Sequence, residues 1–317
     1  PNLNIFNGVE EYVDNILKFA GSYVNKNLHI AYENLNGVGI VSLDVLFKKL
    51  GIPMKVFHAE KDSSFRGKLP NPIEENLTEL RDYVLENKYD FGFSCDSDAD
   101  RLGIIDEKGN YVSANEILAV IYYYLIREEG QKGDIVKNLV TSNILNNLAD
   151  KFGYKCHSVD VGFKNITHSM KVNDALIGGE SSGGLTVRNY IHGKDSTFSI
   201  MLFISAVSKL NKPVSEIVRE VKEFANFNKV FLESFVGYAK ENTDNIINNP
   251  VNTFFKSFNK DFKASKSNND IIFEKKLDET EQNELCNLLQ DSIEKKLQGK
   301  WKQEFRKTLL DAMMKVS

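Results

Sequence analysis

Cysteine is scarce in this chain. Cys95, Cys156 and Cys286 are odd in number, far apart and form no C-x-x-C pair, which excludes a disulfide framework or a cysteine zinc site and fits a reducing cytoplasm. Long apolar runs are missing too: stretches such as Ile200-Met201-Leu202-Phe203-Ile204 fall far short of the ~20 residues of a membrane helix, and the N-terminus has no signal-peptide pattern. Neither sign of charge dominates. Forty Lys and Arg stand against 44 Asp and Glu, a formal charge of -4, so no electrostatic footprint for nucleic acid or an anionic membrane exists and an anionic ligand must be held by local charge. No short-period repeat is present. What remains is an ordinary globular composition, 317 residues with 42% hydrophobic, enough for more than one core. The first residue is Pro1, and a helix is expected almost at once, so a preceding segment is expected to have been removed; initiator-methionine cleavage is the alternative.

The apolar positions Val9, Tyr12, Val13, Ile16, Leu17 and Ala20 repeat with helical spacing. Strands are predicted at 28–32, 54–58 and 89–94, and helices at 42–50, stopped by Gly51, and at 72–87. This β-α-β-α-β rhythm predicts a mostly parallel sheet with ligands at the carboxyl ends of its strands. Residues 102–106 and the turn at 108–110 close a first domain, 1–112. A second, 113–225, repeats the alternation: helices at 115–127, 143–152, 164–171, 198–210 and 214–224, strands at 134–141 and 156–161, and a short strand entering residue 178. The fold class is therefore α/β: two consecutive three-layer α/β/α domains, plus a small C-terminal α+β or helical domain over 226–317. In that last part Asn, Lys and Phe become frequent, residues 248–250 and 265–269 read as turns or mobile loops, and helices are expected at 279–297 and 301–315.

Three carboxylates, Asp96, Asp98 and Asp100, alternate directly after the apolar strand at 89–94, followed by Arg101. In a curled loop, side chains at i, i+2 and i+4 converge on one cation, and an all-oxygen set suits a hard ion such as Mg²⁺. Three ligands leave room for a phosphate oxygen, and Arg101 can grip the same phosphate bidentately. An EF-hand would take the same three aspartates plus Glu107, but it demands glycine where Arg101 stands and helices where strands are predicted. A solvated acidic turn is the plainer alternative, at the cost of mutual repulsion.

The second motif is Gly178-Gly179-Glu180-Ser181-Ser182-Gly183-Gly184. Its carboxylate and hydroxyls among glycines suit a sugar's vicinal hydroxyls, although alone it reads equally as a flexible turn. Further on, Lys194 reads as a phosphate ligand or acid/base group, or else as an exposed residue beside the helix-capping Asp195.

Together these stretches resemble the α-D-phosphohexomutase family, which includes phosphoglucomutase and phosphomannomutase, over residues 9–225, as its second and third domains. The family's D-x-D-x-D-R loop is matched by residues 96–101, its G-E-x-S-G loop by 179–183, and its T/V-G-F-K turn by 161–164. Its H-I-P-E-K-D-G stretch is matched by 190–196, with Tyr190 in place of histidine and Ser196 in place of glycine. The resemblance implies Mg²⁺ on Asp96, Asp98 and Asp100, and phosphate stabilisation by Arg101 and Lys194. It also implies sugar contacts from Glu180 and Ser182, and substrate seating by Gly162, Lys164 and His192. The turn at 34–39 and Pro70-Asn71-Pro72 fit as scaffold.

The family's phosphoserine lies in a T-A-S-H-N-P-type loop, and no such segment occurs in the 317 residues; nor does the R-x-S-G-T phosphate loop of its fourth domain. The resemblance implies an intact parent protein that interconverts hexose 1- and 6-phosphates through a hexose 1,6-bisphosphate, with this chain inactive alone. A non-catalytic sugar-phosphate-binding or regulatory protein is the alternative. The choice among glucose, mannose and glucosamine phosphates, and the oligomeric state, are not legible.

Overall fold

The computed structural model describes residues 6–19 and 23–225 and, further on, the backbone of two short strands. Within 1–225, two sheets carry the architecture. The first comprises β1 (Ile30–Glu33), β2 (Met54–Phe57), β3 (Phe91–Cys95), β4 (Leu102–Asp106) and β5 (Tyr111–Val112) in the order β2-β1-β3-β4-β5. Its β1 pairs in parallel with β2 and β3, while β4 and β5 are added antiparallel. The second comprises β6 (Ile135–Asn138), β7 (Cys156–Val159), β8 (Ile177–Gly179) and β9 (Leu185–Val187) in the order β7-β6-β8-β9, with β6 parallel to β7 and β8 and only β9 antiparallel.

Strand alternation decides the layers. Ile30, Tyr32, Phe91, Phe93, Leu102 and Ile104 face one side of the first sheet and join the principal core; Ala31 and Ile105 face the other and pack under α3 (Thr78–Asn87) with Leu77, Leu80 and Val84. In the second sheet Ile135 and Ile177 join the principal core, and Val136 packs under α6 (Phe163–Asn173) with Ile166 and Met170. Between the sheets lie α1 (Val9–Leu17), α2 (Ile40–Leu50), α4 (Ala114–Arg127), α5 (Ile144–Phe152), α7 (Ser196–Leu210) and α8 (Val214–Ala225). Each sheet is thus covered on both faces, the expected α/β/α layering, and the two lobes share their inner helices. Helix α7 is buried along nearly its whole length, as its unbroken apolar and small-residue sequence requires.

Some predicted elements are shorter. The helix expected from residue 72 begins at Thr78, because Asn76 turns back to donate to the carbonyls of Leu69 and Asn71 at 2.9 Å and Leu77 is not helical. The strand expected to reach residue 141 ends at Asn138, where Thr141 folds back on it in a turn with N···O 3.1 Å. Gly51, at φ 69°, ends α2 as its sequence signals.

Residues 226–317 form a separate unit. Here β10 (Ser265–Ser267) pairs antiparallel with β11 (Asp270–Ile272), a ladder where the sequence suggested a turn or mobile loop. The helices expected at 279–297 and 301–315, the turn at 248–250 and the class of this domain lie outside the described residues.

Candidate active site

In both sheets the strand order reverses beside the first strand of the lobe: β2 lies on one side of β1 and β3 on the other, and β7 and β8 likewise flank β6. Ligands of open α/β sheets bind outside the carboxyl ends at such switch points. The acidic loop leaves the carboxyl end of β3, and the glycine-rich loop that of β8.

One carboxylate oxygen from each of Asp96, Asp98 and Asp100 lies within 4.8 Å of the other two. The loop is held in that curl from inside. Asp96 is buried, and its Oδ1 accepts the backbone N–H groups of Asp100 at 2.8 Å and Arg101 at 3.0 Å, while Ala99 takes a left-handed φ of 59°. The turn at 34–39 presses against the loop: Val38 N donates to Ser97 O at 2.9 Å, and a Cβ on Gly37 would stand 2.8 Å from Ser97 Cα, so only glycine fits. Burial pushes the Asp96 carboxyl up to about 6; the nearby charges of Asp100 and Asp98 push the same way, and the two N–H donors oppose them.

Two cations answer the three carboxylates. Arg101 Nε stands 3.3 Å from Asp96 Oδ2 and 3.5 Å from Asp100 Oδ1, and Lys194 Nζ pairs with Asp100 Oδ2. Asp100 Oδ1 is buried and accepts no hydrogen bond; its 3.5 Å approach to Arg101 Nε is an ion-pair contact only. A buried carboxylate oxygen that accepts no hydrogen bond, beside two more carboxylates, is a donor set that fits a hard divalent cation. Glu107, the twelfth position of the EF-hand reading, instead receives Ser215 N at 3.1 Å and Ser215 Oγ from α8. It is committed to packing the lobes together.

The glycine-rich loop is the turn of a hairpin between β8 and β9, a partner strand the sequence reading missed. Glu180 N donates to Gly184 O and Gly183 N to Glu180 O, both at 3.0 Å, and Ser182 Oγ donates to Glu180 Oε1 at 2.6 Å. Gly183 has φ 108°, and a Cβ there would stand 3.2 Å from Arg101 Cβ; on Gly184 it would stand 2.6 Å from Lys194 Cγ. The absence of these side chains lets the two loops and Lys194 close on one another. Lys194 is therefore not the exposed neighbour of a helix cap, although Asp195 does cap α7 by accepting Phe198 N at 3.0 Å.

Gly162 and Lys164 follow the carboxyl end of β7, two strands from β8 in the same sheet, and His192 lies exposed between β9 and α7. Among the described residues no hydrogen bond or ion pair joins the side chains of Lys164 or His192 to the acidic loop or to Glu180. Sequence reasoning also missed Ala99, whose carbonyl receives both Ser196 N at 2.9 Å and Ser196 Oγ at 2.7 Å. No motif signals a backbone carbonyl.

Residues 10–109 match the family model described as phosphoglucomutase/phosphomannomutase, alpha/beta/alpha domain II, and residues 113–224 match the corresponding domain III. The chain is 30% identical over 198 residues to a phosphoglucomutase/phosphomannomutase of Thermococcus kodakarensis, covering 62% of this chain and 43% of that protein. It is 29% identical over 219 residues to a probable phosphoglucosamine mutase of Methanosarcina barkeri, covering 69% and 48%. A crystal structure of a putative phosphomannomutase from Thermus thermophilus superposes with a TM-score of 0.68 at 24% identity, over 71% of this chain and 52% of that one. The chain spans about half the length of the curated relatives it matches. With two successive domain models of one family matched over 10–109 and 113–224, the chain belongs to the phosphoglucomutase/phosphomannomutase family, whose domains II and III it carries.

Proposed function

We propose that this chain supplies the metal-binding and sugar-binding parts of a mutase that moves phosphate between the 1- and 6-positions of a hexose by way of a hexose 1,6-bisphosphate. The observation that carries the reading is the contact of the two motifs: Lys194, lying over Gly184, reaches Asp100, and Gly183 abuts Arg101. Asp96, Asp98 and Asp100 would hold Mg²⁺, which supplies charge neutralisation at the phosphoryl group in transfer. Arg101 and Lys194 carry positive charge to the same place, as a fixed donor fork and a mobile point charge. Glu180 accepts hydrogen bonds from vicinal sugar hydroxyls and Ser182 orients it, while Gly162, Lys164 and His192 seat the rest of the substrate. The names of the relatives support a hexose phosphate as substrate, and the scarcity of cysteine supports a cytoplasmic setting.

The nucleophile is a matter of sequence. No T-A-S-H-N-P-type segment occurs in the 317 residues, so the purified chain is expected to bind Mg²⁺ weakly and to turn over no glucose 1-phosphate in a coupled assay, even with glucose 1,6-bisphosphate added. It is expected to bind the bisphosphate, and Glu180→Gln to weaken that binding. Turnover by the chain alone would overturn the inactivity, and no detectable binding of any hexose phosphate would overturn the whole reading. The second reading is a non-catalytic sugar-phosphate-binding or regulatory protein. The gene upstream of Pro1 separates the two: a phosphoserine-type loop encoded there supports the mutase, and an immediate start codon the binder.

A further inference from the structure

Lys194, Asp195, Ser196 and Thr197 are consecutive, and each bonds a different residue of the first lobe. Lys194 pairs with Asp100, Asp195 Oδ2 accepts the Tyr12 hydroxyl at 2.7 Å, Ser196 donates to Ala99 O, and Thr197 Oγ1 meets Ser42 Oγ at 2.8 Å. This seam fastens the first turn of α7 to the acidic loop and to α1 and α2.

Asp195 is its centre. The residue is buried; one carboxylate oxygen caps α7, and the other receives two phenols, Tyr12 at 2.7 Å and Tyr190 at 2.5 Å. Tyr190 stacks on Phe198 of its own lobe, ring centroids 3.6 Å apart, and Phe19 of the first lobe stands edge-on to both rings. Tyr12 is the phenol that comes from α1. Hydrogen bonds to a buried carboxylate are strong and directional, and losing one leaves that group short of a partner. The carboxylate then shifts, and the residue before it shifts with it.

We propose that Tyr12 is a positioning residue for Lys194: its hydroxyl fixes Asp195 against α1 and so holds the adjacent ammonium group on the acidic triad. The purpose of that placement rests on the mutase reading, but the linkage can be measured without metal or sugar. The intact chain is acylated with limiting acetic anhydride and the rate at each lysine is read by peptide mass spectrometry. Lys194 is expected to react slowly in the native chain. Tyr12→Phe is expected to speed Lys194 about fivefold, the partial loss of one charged hydrogen bond. Lys137, whose buried ammonium donates to Thr141 O at 2.8 Å, should stay slow. Asp100→Asn, which breaks the ion pair directly, should speed Lys194 at least as much. Unchanged Lys194 in Tyr12→Phe, or equal acceleration at Lys137, would overturn the positioning role. Unchanged Lys194 in Asp100→Asn would overturn the ion pair on which it depends. Should Tyr12→Phe not fold, Asp195→Asn, which weakens the acceptor of the Tyr12 hydroxyl, is acylated instead, and unchanged Lys194 there would equally overturn the role. Failure of the mutase reading itself is registered separately, by absent hexose-phosphate binding.

Discussion

Replacing Asp96 by asparagine separates what its charge costs from what its oxygen holds. Burial raises this carboxyl from 3.8 to about 6, so the folded chain binds the proton more tightly than the unfolded chain does. The contribution of Asp96 to stability is then greatest below about pH 4, falls as pH rises toward 6, and carries its full penalty, about 3 kcal/mol, above that. Asparagine never ionises. It keeps an Oδ1 for the N–H groups of Asp100 and Arg101, and the attraction of the charged form to Arg101 Nε at 3.3 Å is already contained in that net penalty. Asp96→Asn is therefore expected to be more stable than the native chain by about 2–3 kcal/mol at pH 8 without divalent cation, and about equally stable at pH 4, so that the two stability curves converge as pH falls. Urea unfolding across this pH range measures it. Mg²⁺ should raise native stability by mass action and leave Asp96→Asn unmoved. A variant less stable than the native chain at pH 8 in EDTA would refute the reasoning.

Asp96→Ala, which also removes the acceptor for two backbone donors, should be less stable than Asp96→Asn by about 2–4 kcal/mol in the same experiment. Gly103→Ala would drive a Cβ into the Pro72 carbonyl, and a loss of about 2–3 kcal/mol is expected by thermal or chemical denaturation. Ser182→Ala should leave the melting temperature unchanged, since the residue is exposed, while weakening hexose bisphosphate binding about tenfold, the worth of orienting Glu180; calorimetry reads both. Glu107→Ala should cost about 1–2 kcal/mol by freeing Ser215, without altering metal affinity.

The acidic loop was legible because its information is local: three aspartates at alternate positions after an apolar strand can converge only if the chain curls, and Asp96 makes the curl itself by capping Asp100 and Arg101. The sheet rhythm was legible for the same reason. What escaped depends on contacts that no spacing or periodicity signals. Strand β9 has only three residues and exists because β8 offers it an edge, and the helix expected from residue 72 was displaced by an Asn76 side chain reaching back several residues. Spacing left Lys194 open between ligand and exposed cap neighbour. Its contact with Asp100 is decided by the bare backbone of Gly184, a relation between two loops that neither motif contains. Tyr12 carries no chemical signal in the sequence, where it reads as one position of an apolar stripe.

The joining of the acidic triad to the glycine-rich loop is tested most directly by paramagnetic broadening. Substoichiometric Mn²⁺, added to the ¹⁵N-labelled chain, should bleach the amide signals of Ala99, Arg101, Gly183, Gly184 and Lys194 together while sparing Gly153 at the far end of α5, and Asp98→Asn should abolish the effect. Broadening confined to the acidic loop, or persisting in Asp98→Asn, would contradict a shared metal and sugar cleft.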